Sequence, residues 1–235
     1  RSGGNPLFLQ QLAEVVAESR PSSELPDSLR ALIAARLDQL PVLERQVIDN
    51  AATLGLSGSV MSLERFAHAM SQPFDRAVLS ALDAKGFLEI DGQRWRFRSD
   101  SVRETAYQTL TKSARAQRHA GVAGTLAAYA PIAIDDIAHH AATAAELVAE
   151  LGSVDKVPAT IRVDAVRALG AAARKARESG SHRLSVRHAS RAISLMYGHP
   201  SEAGERPSLM LGRCARLIEL PGLAVSGAGI DTGLS

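Results

Sequence analysis

Cysteine is nearly absent from this chain: one residue, Cys214, stands among 235. A single thiol excludes an internal disulfide framework and a cysteine-based zinc site, and it fits a reducing, cytoplasmic compartment. Aromatic residues make up only 4%. The apolar mass therefore comes mainly from Ala, Leu and Val, which favours helices over a β-sandwich. No run reaches the ~18 apolar residues that a membrane span needs, and no signal peptide opens the chain. Catalytic signatures are missing too. There is no Gly-x-x-x-x-Gly-Lys-Ser/Thr loop to cradle the phosphates of a nucleotide, and neither Gly-x-Ser-x-Gly nor His-Glu-x-x-His occurs.

What remains is an ordinary folded composition, 46% apolar and 22% charged, with a net charge of only +2. The charge is unevenly spread. Residues 132–155 carry Asp135, Asp136, Glu146, Glu150 and Asp155 with no Lys or Arg, whereas residues 161–191 carry eight Lys or Arg against Asp164 and Glu178. Oppositely charged neighbouring helices are expected to stack on each other rather than to recruit separate partners. The chain starts without Met in the loop-like Arg1-Ser-Gly-Gly-Asn5, as a piece of a longer protein would.

Apolar spacing predicts a mainly helical chain. Asn5 and Pro6 suit the cap and first turn of a helix carrying Leu7, Phe8 and Leu12. Further helices are expected from Pro26 to Leu40, Val42 to Leu54, Ser62 to Met70 and Phe74 to Lys85, the last ended by Gly86 as a left-handed cap. Phe87–Ile90, the pair Asp91-Gly92 and Arg94–Phe97 then predict a β-hairpin, with Trp95 and Phe97 facing a core opposite Arg94, Arg96 and Arg98. Helices followed by a hairpin make a winged-helix arrangement the expectation. Ser101-Val-Arg-Glu104 reads as a capping box, with Asp100 as a second candidate cap. Downstream, helices are expected over 114–129, 134–151, 159–179, 182–197 and 207–220. The pair joined by Ser179-Gly-Ser181 resembles a tetratricopeptide-type hairpin with Leu169, Gly170, Ala189 and Ala192 at its contacts.

Sites are harder to find. Asp135, Asp136 and His139 can share one helical face beside His140, a superficial ligand pattern. With no fourth ligand in view it reads as a solvated helix face, and no metal is expected. Cys214 reads as a small helix-packing residue. The helix expected to dock DNA, 74–85, balances Arg76 and Lys85 against Asp75 and Asp83, so nucleic-acid binding is disfavoured.

Three ordered segments carry a family resemblance: Ser2-Gly-Gly-Asn-Pro-Leu-Phe-Leu9, the run Leu25-Pro-Asp-Ser28 through Pro41, and Trp95-Arg-Phe-Arg-Ser-Asp-Ser-Val-Arg-Glu-Thr-Ala-Tyr107. Together they resemble the region that follows the ATPase core in bacterial STAND-class signalling ATPases, found in multidomain adenylate and guanylate cyclases and in LuxR-like regulators. The resemblance covers residues 1–110. It implies the C-terminal helical part of an ATPase module over 1–40 and a winged helix over 41–110. A tetratricopeptide-like array over 111–222 and a flexible tail over 223–235 would follow.

The implied cofactor is ATP or ADP in the parent protein, with none expected for this chain alone. Gly4 and Pro6 fit the family's Gly-x-Pro element, whose proline packs on adenine. Ser99 stands where relatives carry a phosphate-contacting histidine; it can donate a hydrogen bond but no positive charge. The implied function is regulatory and non-catalytic, coupling nucleotide state and a helical sensor array to an effector, a nucleotide cyclase in the first instance. Partners would be the upstream ATPase core and effector domain of the same chain, and a protein or small molecule on the array; no membrane is implied. The alternative is a DNA-binding transcriptional regulator acting through the winged helix.

Overall fold

The computed structural model describes residues 27–197. The helix expected at Asn5–Pro6, the helix over 207–220, Cys214 and the 223–235 tail lie outside them. The described residues are mainly helical, with 72% in nine helices, and carry one small antiparallel sheet. The chain divides between Thr111 and Lys112 into two compact units.

In the first unit, α1 (Asp27–Asp38) and α2 (Val42–Leu54) precede the short strand β1 (Ser57–Ser59). Helices α3 (Val60–Ala69) and α4 (Arg76–Ala84) follow, then β2 (Leu88–Asp91), β3 (Arg94–Phe97) and α5 (Asp100–Thr109). The sheet order is β1-β3-β2, with Gly58 opposite Trp95 on one side of β3 and Ile90 opposite Trp95 on the other. The core is built from Leu37, Ile48, Leu63, Phe66, Leu82 and Leu88 around Trp95. Trp95 and Phe97 meet edge to face with ring centroids 5.9 Å apart, a favourable aromatic geometry. The alternation expected along β3 is present: Trp95 and Phe97 are buried while Arg94, Arg96 and Arg98 are exposed.

Strand β1 was invisible to periodicity, because Ser57-Gly-Ser carries no apolar alternation. It exists because the indole fills the space above Gly58. A Cβ built there would stand 2.9 Å from Trp95 Cζ2, and the indole Nε1 donates to the Ser59 carbonyl at 3.1 Å. Ser59 then caps α3, its hydroxyl accepting from the Ser62 amide at 3.0 Å. Two local expectations need correction. The two-residue hairpin loop is Gly92-Gln93 rather than Asp91-Gly92, since Asp91 pairs with Arg94 in the ladder. Gly92 at φ 56° occupies the first turn position, which suits a type II′ turn. The cap of α5 is Ser99, whose hydroxyl accepts from the Val102 amide at 3.3 Å, and neither Ser101 nor Asp100. Asp100 sits instead in the first turn, where its charge complements the helix dipole.

The second unit is a run of four helices: α6 (Lys112–Tyr129), α7 (Ile134–Leu151), α8 (Ile161–Glu178) and α9 (His182–Tyr197). Each packs on the next, and α9 also returns to α7. Small side chains line the interfaces: Ala138, Ala142, Ala144, Ala165, Ala172, Ala173 and Ala192 are all essentially inaccessible. Leu169, Gly170, Ala189 and Ala192 are buried, as the hairpin reading expects. Gly180 makes the α8–α9 turn at φ 76°, and the Ser185 hydroxyl donates across it to the Ala173 carbonyl at 2.8 Å. The acids of α7 are met by cations from its neighbours. Lys175 reaches Asp135 at 2.7 Å, and Arg191 forks onto Glu146 at 2.6 and 2.8 Å.

Candidate functional site

Of the residues carried by the family resemblance, Gly4 and Pro6 lie outside the described residues. Ser99 stands at the start of α5, where its hydroxyl is engaged in the helix cap. The cations around it are tied to the fold. Arg98 donates to Asp83 at 2.6 Å and to the Leu88 carbonyl at 3.2 Å, while Arg103 reaches the Ala52 carbonyl at 3.4 Å.

Several cations of α4 and the hairpin are paired with carboxylates of the same unit. Arg76 lies 3.7 Å from Glu64, Lys85 bonds Glu44 at 2.6 Å, and Arg96 is held by Glu89. The Glu89 partnership runs both ways: the Arg96 hydrogen bond and charge hold the Glu89 carboxyl below its usual range. A shallow cleft on the hairpin is lined by Glu89 and Asp91 together with Arg94 and Arg96, an even balance of sign.

A different constellation forms in the second unit. Helix α6 supplies His119 and α7 supplies the adjacent His139 and His140, and the nitrogens they offer all lie within 4.8 Å of one another. His119 is 3% exposed and His140 7% exposed, and their Nδ1 atoms are 2.8 Å apart. A contact that short requires one Nδ1–H to donate to the other's lone pair, so the accepting ring is neutral. Burial, reinforced by neighbouring charge, pushes both pKa values down to about 3. His139 is exposed at the edge of the cluster. Partial desolvation and the Arg191 guanidinium lower its pKa as well, against the opposing pull of Asp136 and Glu146.

The helical face read from sequence is therefore divided. Asp135 turns away to Lys175, and lies 3.5 Å from His188, while the two histidines meet one from the preceding helix. His119 was missed because nothing local marks it. Its position among buried Ala116, Ala120 and Ala123 could have placed it on the inner face of α6, but its approach to His140 is a product of helix packing. Three neutral imidazoles suit borderline divalent cations such as zinc and not the oxygen-seeking calcium or magnesium. Comparisons with family models, curated proteins and solved structures found no match to this chain.

Proposed function

We propose that this chain is the regulatory, non-catalytic portion of a STAND-type ATP-binding signalling protein of the bacterial cytoplasm. In this reading the first unit relays nucleotide state from an ATPase core, and the helices of the second unit form a tetratricopeptide-like sensor. The output would be an effector, with a nucleotide cyclase as first choice. The observation that carries the reading is an order of features. Gly4-Asn5-Pro6, Leu25-Pro-Asp-Ser28 and Arg103-Glu-Thr-Ala-Tyr107 occur in sequence, and between the last two the elements run helix, strand, helix, helix and hairpin with strand order β1-β3-β2. That order supports a winged-helix reading of the first unit. Arg103 supports a relay role, because it links the first turn of α5 to the Ala52 carbonyl of α2.

The DNA-binding alternative needs several cations free to neutralise phosphates. Arg76, Lys85, Arg96 and Arg98 are each paired with a carboxylate of the same unit, which favours a protein-packing role. The test is the coding sequence upstream of Arg1. The expected result is a phosphate loop within one or two domain lengths, about 250 residues. A stop codon directly upstream, or a domain with no nucleotide-binding signature, overturns the reading.

A further inference from the structure

Independently of any nucleotide, we propose that His119, His139 and His140 form a binding site for a zinc-class divalent cation that ties α6 to α7. Geometry and donor chemistry carry the proposal. The three candidate nitrogens already lie within 4.8 Å of one another, without rearrangement of the backbone. Tetrahedral coordination at about 2.0–2.1 Å places ligand nitrogens ~3.3 Å apart. His119 and His140, whose Nδ1 atoms stand 2.8 Å apart, need separate by only about half an ångström to admit an ion. The ion replaces their mutual hydrogen bond. The donor ring passes its Nδ1 proton to its own Nε2 through solvent, so neutral imidazole remains neutral and no net proton is released.

His139 completes a three-nitrogen set from the solvent side, leaving a fourth position for water. No carboxylate or thiolate belongs to the set, which selects borderline cations over calcium, magnesium and copper(I). The Arg191 cation nearby is already neutralised by its fork onto Glu146, so its opposition to an incoming dication is reduced.

The experiment uses the full chain, stripped with chelator and titrated with zinc chloride by calorimetry near neutral pH. The expected result is saturable binding of a single zinc ion, visible d–d bands when cobalt(II) is substituted, and a zinc-dependent rise in the thermal midpoint. His119 and His140 are buried, and their loss can unfold the unit. The deciding variant is therefore the exposed His139→Ala, whose helical circular dichroism should be unchanged. It should weaken zinc binding by at least about tenfold, while His182→Ala, an exposed histidine elsewhere on α9, should leave it intact. Absence of saturable binding up to about 100 µM zinc overturns the site, since structural sites bind far more tightly than that. Equal zinc affinity in His139→Ala and the parent chain overturns it as well.

Discussion

Trp95 does two things that a smaller residue cannot: it fills the space above Gly58 and it donates its indole proton to the Ser59 carbonyl. Trp95→Ala should therefore cost about 3–5 kcal/mol, the range for large aromatic truncations in cores. Arg94→Ala, one residue away on the exposed face, should change stability by less than about 0.5 kcal/mol. Thermal melts of the two variants check the strand's facing; equal losses would reverse it. The complementary change, Gly58→Ala, forces a methyl to 2.9 Å from a fully buried indole and should cost about 1–3 kcal/mol by overpacking. The buried histidines make a residue-scale prediction of a different kind. Their folded pKa values lie at about 3, below the unfolded value of about 6.5, so the unfolded state takes up protons first on acidification. The stability that the neutral rings allow is present above pH ~6.5 and is lost as the pH falls toward ~3, at up to about 1.4 kcal/mol per pH unit for each ring. His139, Arg115 and Arg191 press in the same direction on His119. Chelator-treated protein should show the helical melt of the second unit falling steadily between pH 7 and pH 5, about the range where free histidine titrates; a flat profile would mean that the rings are not buried neutral.

At the scale of elements, helix ends decide what local sequence can and cannot announce. Ser99→Ala should cost about 1 kcal/mol through the lost cap, whereas Ser101→Ala should be nearly silent; denaturant midpoints of the pair distinguish the two assignments. Ser101-Val-Arg-Glu104 had the right letters for a capping box, but the chain leaves β3 in extended conformation through Ser99, and backbone geometry decides which serine faces the open amides. The helices themselves were legible. Val42–Leu54, Ile134–Leu151 and His182–Tyr197 end where their apolar periodicity ends. Gly86 and Gly180 adopt the positive φ that their turns require. The hairpin was legible from its alternation, although the ladder extends one residue further than the Asp-Gly pair implies. Strand β1 was not legible, because its reason for existing is the Trp95 side chain thirty-odd positions away. The histidine cluster was half legible for the same reason: His139 and His140 are neighbours in sequence, while His119 reaches them only through the packing of α6 on α7.

For the whole molecule, charge pairing is the property with the broadest consequence. Acids and bases segregate along the sequence but are brought together within each unit: Asp135 and Glu146 meet Lys175 and Arg191, and Glu44 and Asp83 meet Lys85 and Arg98. Among the described residues, such pairing reduces the positive field available to draw a polyanion. In a gel shift with random duplex at low salt, no salt-sensitive complex should form, and the triple change of Arg94, Arg96 and Arg98 to Ala should alter nothing. A complex lost both with added salt and in that variant would restore the DNA-binding reading. Titration with ATP should likewise show no tight binding, because the phosphate loop is missing from this sequence.

The indole of β3 also gives the molecule a private optical channel. Trp95 is the only tryptophan in the chain, it is 1% exposed, and it belongs entirely to the first unit. Its emission should be blue-shifted while that unit is folded and should move to the red when it opens, whatever α6 to α9 are doing. Far-ultraviolet dichroism reads the helices of both units. Recording the two signals in one melt therefore separates events that neither would resolve alone. Zinc added during such a melt turns the pair into a coupling gauge: a shift in dichroism with the emission unmoved means that the second unit responds by itself, and a matching shift in both means that an ion bound at the histidines is felt at the tryptophan.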